Sequence, residues 1–552
     1  MKTFALALAA VLATTHVQAQ SSGPIDTARL SAIVKVMASD DFEGRAPGSP
    51  GEAKTVDYLI GQFKAMNLEP AGENGGWTQE VKLQRLQVQP GAQLSVSVGG
   101  KVTALTQAMQ INVATLRPVD RVTIAGAPLV FVGYGVKAPE RGWDDFKGAD
   151  LKGKVAVFLI NDPDFEAQPG EPVAGKFGGQ AAAYYARWTY KYEEAVRQGA
   201  IGALIVHETA GAGYGWSTVA ASNGESFDIV RPDPAKEKLL LQGWVQREVA
   251  VDLFRQAGLD LEVLKASARS PDFKPVPLTG AIFAADYGVT HSQVVSRNVL
   301  AKLTGTAKPD ESVMFSAHWD AFGLGAPVNG DKVRRGAADD AIGVAGVLEI
   351  ARALAAGPRL ARTTLFAAWT AEERGLLGSE YYGVHPTTPL NRMAANFTMD
   401  VLQTAGPSRD VVLVGYGQSQ LDDRLIAAAK TQGRTVTPDA HPERGLFFRA
   451  DHFSLAKQGV PVMLMMGLGG GPDLVVGGRA AGDKWVSDYT AQCYHQPCDA
   501  WSPDWDLRGA AQDVHLLYLM GKAIADDPKD WPTWKPDSEF KAIRDRTAAS
   551  RQ

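Results

Sequence analysis

Val313-Met314-Phe315-Ser316-Ala317-His318-Trp319-Asp320 runs from apolar residues straight into a histidine and an aspartate. Residues 313–315 have the composition of a short buried strand, and the polar pair falls just past its end. The same design recurs downstream. Residues 364–369 form a second such strand, followed by Thr370-Ala371-Glu372-Glu373, and residues 397–399 form a third, followed by Asp400. Helical spacing separates them at 341–356, from Leu376 onward, at 421–431 and at 451–458, and further strands are expected at 411–414 and 460–465. Strands alternating with helices predict an α/β fold, a mostly parallel mixed sheet sandwiched by helices.

Working outward, residues 286–530 make the main domain and residues 20–117 its N-terminal part. In that part helices are expected at 27–37 and 51–66, around the Gly- and Pro-dense loop Asp41-Phe42-Glu43-Gly44-Arg45-Ala46-Pro47-Gly48-Ser49, with strands between 78 and 113. The texture changes from 118 to 285. Strands near 129–135, 153–160 and 199–206 have their own apolar pattern, and none of the candidate metal ligands lies there, so an inserted β-rich domain is expected. Residues 531–552, bearing Pro and Trp and then charge, are expected to form a surface strap.

Lys2, an apolar run over 4–13 and Val17-Gln18-Ala19 have the pattern of a signal peptide occupying residues 1–19, cut after Ala19. Export to the periplasm or the extracellular space follows. No later stretch approaches the roughly 18 apolar residues of a membrane span. At 552 residues the chain exceeds one ordinary core. A net charge of -5 argues against nucleic acid as the main partner, which would need a basic face.

In open α/β sheets ligands collect at the carboxyl ends of strands. His318, Asp320, Glu372, Glu373 and Asp400 are all delivered to that edge, and Asp339 joins them where the helix from about Ala341 begins. His495 completes a set of imidazoles and carboxylates suited to a pair of zinc ions that activate water. Singly, each has a plainer explanation: a structural strand-end histidine, a solvated Glu-Glu helix start, an Asp339-Asp340 helix cap. Their joint placement at successive strand ends is what selects the site. Cys493 and Cys498 flank His495; in an exported chain so close a pair points to a disulfide, with free thiols or metal ligation as the alternatives.

These motifs resemble those of the co-catalytic zinc aminopeptidase and glutamate carboxypeptidase family of exopeptidases. The resemblance rests on Ala317-His318-Trp319-Asp320, the stretch Gly336-Ala337-Ala338-Asp339-Asp340-Ala341-Ile342-Gly343, Glu372-Glu373-Arg374-Gly375, Asp400 and Tyr494-His495-Gln496-Pro497. The insert resembles the protease-associated domain found in that family. The resemblance implies two zinc ions per chain bridged by Asp339, one completed by His318 and Asp400, the other by Glu373 and His495. It also implies Glu372 as general base and Asp320 as the carboxylate that orients His318. Peptides are the implied substrates, and aminopeptidase activity the implied reaction. The alternatives are a carboxypeptidase or dipeptidase, a mononuclear glutaminyl cyclase, and a binding protein without catalysis.

Weaker candidates lie outside this set. Arg449, Asp451 and His452 resemble a segment lining the family's active site, although Asp451 has an equal claim as a helix cap. A carboxypeptidase would need arginines in the insert or near Arg449 to grip a free carboxylate. Tyr184, Tyr185 and Trp188 in the insert could reach over the crevice, with packing inside the insert the plainer role.

Overall fold

A computed structural model describes residues 24–551; the expected signal peptide lies outside the described residues. The central sheet is the expected α/β arrangement. Its strands run Val462–Met466, Met393–Asp400, Lys308–His318, Arg362–Trp369, the C-terminal half of Val276–Leu303, Thr78–Val88 and Glu225–Ile229. The first four are parallel; the strands beyond them add antiparallel. Helices cover both faces. Ile342–Ala355 and Arg508–Asp526 pack on one with Thr27–Met37 and Pro50–Ala65, while Leu377–Val384 and His452–Ala456 pack on the other. The four parallel strands are buried along most of their length, which explains their continuous apolar runs in place of alternation.

Val276–Leu303 is a 28-residue strand shared by two sheets. Its first half pairs with Gln93–Val98 and Arg121–Phe131, and its second half with Thr78–Val88 and Arg362–Trp369. The second sheet continues through the parallel strands Val155–Leu159, Gly202–His207 and Leu241–Gln246 to antiparallel Ile111–Ala114. It has its own apolar core, containing Leu94, Val113, Phe131, Phe254 and Phe283. The strands within residues 93–114 thus hydrogen-bond in this second sheet, upstream of the texture change at 118.

The tail differs from a surface strap. Trp534 and Phe540 are buried with Phe447 and Phe453, and the buried Arg544 guanidinium donates to the carbonyl of Met393 at 2.9 Å. Apolar area removed from water is what draws this segment in. Glu539 then accepts from the amide of Tyr184 in the second lobe at 3.1 Å.

Candidate metal centre

His318 and Asp400 are the last residues of adjacent parallel strands, and Glu372 and Glu373 begin the turn three residues after Trp369. Parallel register places all of them at one sheet edge. Asp339 arrives from the irregular turn Ala337–Ala341 that precedes the helix Ile342–Ala355. His495 comes from the loop that follows Tyr489–Cys493.

Asp339 stands between two groups of donors. Its Oδ1 lies 3.1 Å from His318 Nε2, and its Oδ2 lies 3.3 Å from His495 Nε2. His318 Nε2 is also 3.9 Å from Asp400 Oδ1, and His495 Nε2 is 3.2 Å from Glu373 Oε2. Two trios result, His318–Asp339–Asp400 and Asp339–Glu373–His495, each with donor atoms inside 4.8 Å of one another. Zinc bonds of about 2.0–2.2 Å put tetrahedral ligands roughly 3.3 Å apart, so the donor spacing suits one ion per trio. Glu372 belongs to neither trio, with its Oε2 3.9 Å from His318 Nε2.

Electrostatics agree with a cation-binding role. Burial raises the Glu372, Asp340 and Asp400 carboxyls well above their ordinary range, and neighbouring carboxylates add to each. Burial alone would lower both histidines. The carboxylates around them outweigh it, led by Glu372 for His318 and by Glu373 for His495, which is held at about 10. So many buried acids in one place call for bound positive charge.

In place of the expected bond from the Asp320 carboxylate, the main-chain carbonyl of Asp320 accepts from His318 Nδ1 at 3.1 Å. The carboxylate stands 3.8 Å away and accepts instead from the Glu372 amide at 3.0 Å. A carbonyl only accepts, so Nδ1 carries a proton, and Nε2, facing Asp339, is the ring atom that would ligate a metal once deprotonated. The Asp320 side chain positions the backbone of Glu372.

Adjacent aspartates divide the labour. Asp340 turns inward and accepts from the amides of Gly343 (2.9 Å), His318 (3.3 Å) and Val401 (3.3 Å), capping the helix start and tying in two ligand-bearing strands. Asp339 is left to face the trios. Backbone strain concentrates in the same loops: Ala371, Val401 and His495 all have positive φ, 53°, 51° and 62°. Such conformations cost about 1–3 kcal/mol each and persist only where surrounding contacts fix them.

Some of that fixing comes from residues the motifs did not single out. The Asp499 carboxylate accepts from the amides of Ala338 and Asp339 and from the Tyr489 hydroxyl. Arg45, wholly buried, donates to the carbonyls of Trp319 (2.7 Å), Gly336 (2.7 Å), Met37 and Arg335, joining the His318 loop to the Asp339 loop. Their signal in sequence is only proximity, Arg45 in the Gly-rich loop and Asp499 four residues past His495. Cys493 and Cys498 form a disulfide around His495.

Asp451 does not cap the helix His452–Ala456 with its side chain. Its carboxyl is buried beside the acidic cluster, and burial raises it to about 6. His452 is buried against the Phe447 ring at 4.8 Å, away from the trios' donor sets. Arg449 lies within electrostatic reach of Tyr494, whose ring stands 3.7 Å from that of His495. Of the second lobe's aromatics, Tyr184 reaches the main sheet's side, 5.3 Å from Phe453 and 6.4 Å from Phe448.

Residues 298–519 match the model of Peptidase family M28, a span that contains every member of both trios. This stretch is similar to the peptidase domain of that family. Similarity to curated proteins extends beyond that stretch. The probable lipoprotein aminopeptidase LpqL of Mycobacterium tuberculosis is 25% identical over 449 residues, covering 79% of this chain and 71% of that protein. Aminopeptidase Y of Saccharomyces cerevisiae is 23% identical over 466 residues, covering 82% and 69%. Among solved structures, an aminopeptidase from Aneurinibacillus sp. strain AM-1 aligns with 92% of this chain and 96% of its own at 18% identity and a TM-score of 0.48.

Proposed function

We propose that the chain is an exported dinuclear zinc exopeptidase, an aminopeptidase that hydrolyses the N-terminal bond of peptides. The observation that carries the reading is Asp339, with one oxygen facing His318 and the other facing His495. A carboxylate can bridge two ions about 3.5–4 Å apart. His318 and Asp400 would complete one ion, and Glu373 and His495 the other. Two zinc ions, when bound, lower the pKa of water towards about 7 and polarise a scissile carbonyl.

The chain's own residues supply the rest. Glu372, outside both trios, is free to take a proton from the attacking water and pass it to the leaving amine. Its raised affinity for a proton, from burial first and then from Asp400, Glu373 and Asp451, suits both halves of that transfer. Asp320 keeps Glu372 in place through its amide. Aminopeptidase action is supported by the M28 match and by the aminopeptidase relatives. Export is supported by the signal-peptide pattern of the first 19 residues and by a relative described as a lipoprotein. Among the described residues no helix is long and apolar enough to cross a membrane.

The direct test compares leucine anilide with N-acetyl-leucine anilide, with and without a chelator. Chelator-sensitive cleavage of the free amine alone is expected. Equal cleavage of the blocked substrate would overturn the aminopeptidase assignment.

A further inference from the structure

The two histidines that face Asp339 are held in different ways. His318 Nε2 faces Asp339 while its Nδ1 donates to the carbonyl of Asp320, so a hydrogen bond fixes the plane of the ring. His495 has no such bond. Its Nε2 faces Asp339 and Glu373, and among the described residues nothing accepts from its Nδ1. Metal-binding histidines are ordinarily oriented by a hydrogen bond from the second ring nitrogen. The disulfide and the loop conformation restrain the His495 backbone, but they leave its ring free to turn.

Ring contacts take the place of the missing bond. The centre of the Tyr494 ring lies 3.7 Å from that of His495, and the centre of the Phe322 ring 4.4 Å from it. Phe322 in turn has the guanidinium of Arg374 over its face, 5.3 Å from the ring centre, and the same guanidinium lies 5.0 Å from the centre of Phe227. Arg374 is half-buried, and among the described residues its side chain enters no ion pair and no hydrogen bond, so the two rings are its partners. Phe227 is a firm support: its strand Glu225–Ile229 pairs with Thr78–Val88, and the nearby Arg231 pairs with Glu380 at 2.5 Å. Beside Phe322 the Gly323 amide donates to the carbonyl of Gly44 at 3.0 Å, so the backbone there is already tied and Arg374 restrains the ring. Arg374 directly follows Glu373, whose Oε2 is 3.2 Å from His495 Nε2, and the contacts therefore close a circuit around one trio.

We infer that Arg374 and Phe322 are positioning residues for one ion of the pair, that of the Asp339–Glu373–His495 trio. The guanidinium is attracted to the face of Phe322 and keeps that ring against His495. The ring then supplies the orientation that His318 obtains from a hydrogen bond. The inference rests on the dinuclear reading and adds an asymmetry to it: the two ions depend on different supports, and Arg374 governs one of them alone.

Metal-free protein is titrated with zinc against a chromophoric chelator, which resolves the binding steps without turnover. The unaltered protein should show two. Arg374→Met and Phe322→Leu should each weaken one step by about three- to thirtyfold, the range for a cation held over a ring, and leave the other unchanged. The weakened step should be the one that His495→Ala removes. The double variant should be no weaker than the poorer single one, because both act through the same ring. Arg374→Lys keeps a cation over the rings and should recover part of the loss. Unchanged or tighter binding in Arg374→Met, equal weakening of both steps, additive losses in the double variant, or a lysine no better than methionine overturns the inference, as does weakening of a step that survives His495→Ala. A single zinc step in the unaltered protein overturns the dinuclear reading instead.

Discussion

Asp499 holds Asp339 by its backbone: the Asp499 carboxylate accepts from the Asp339 amide at 3.1 Å and from the preceding amide, of Ala338, at 2.8 Å. The side chain that faces both trios is therefore aimed by an acid that is in neither. Burial raises Asp499 to about 7, so the bond is strongest where that carboxyl is ionised. Asp499→Ala should lower zinc affinity by about 10–100-fold, the range typical of residues that position metal ligands. Zinc content after dialysis against a graded metal buffer checks this; unchanged retention would assign Asp499 to folding alone.

Glu372→Gln keeps the size of the side chain and removes its ability to take a proton. Turnover should fall by about 10²–10⁴-fold, the usual worth of a general acid–base group, while zinc content stays at the wild-type level. Near-normal turnover would show that another group moves the proton.

Metal removal should cost more stability in alkaline than in acidic solution. Glu372, Asp340 and Asp400 have folded pKa values raised by burial and by one another. Stability tied to a raised group is complete below the unfolded carboxylate value of about 4 and drains away as pH rises through the folded value. His318, also raised, acts in the same direction above about 6.5. Chelator should therefore lower Tm more at pH 8 than at pH 5.5. A larger loss at pH 5.5 would contradict the sign.

His452 makes the opposite prediction. Burial lowers it to about 3 from an ordinary 6.5, so between those values the unfolded chain binds a proton that the folded chain refuses. The stability it contributes is present at neutral pH and lost as pH falls, by up to about 1.4 kcal/mol per unit below 6.5. His452→Phe removes the titration, so its Tm should fall less than that of the wild type between pH 7 and pH 5. Parallel pH slopes would rule out a buried neutral His452.

The element pattern was legible because buried parallel strands leave continuous apolar runs, and because helix 342–355 is apolar apart from Glu349 and Arg352. The strand ends His318 and Asp400 could be named from that pattern alone. The role of Asp320 could not. Whether its carbonyl or its carboxylate meets His318 depends on sub-ångström loop geometry that side-chain identity does not encode. The same holds for Asp339 and Asp340, chemically identical neighbours that the turn sends in opposite directions. The tail misled because Pro, Trp and charge describe a surface strap as well as a segment whose Trp534 and Phe540 fill a gap in the core.

What the sequence determined by itself is the kit: a parallel sheet, and imidazoles and carboxylates at its strand ends. Hydrophobic periodicity and donor chemistry are local properties, carried by each segment whatever its neighbours. Tertiary structure alone decided that both oxygens of Asp339 face separate histidines, that Asp499 and Arg45 brace the loops, and that Tyr184 comes to rest against Phe453 from another lobe. Those are long-range relations, set by how two cores pack around one shared strand, and no window of the sequence contains them.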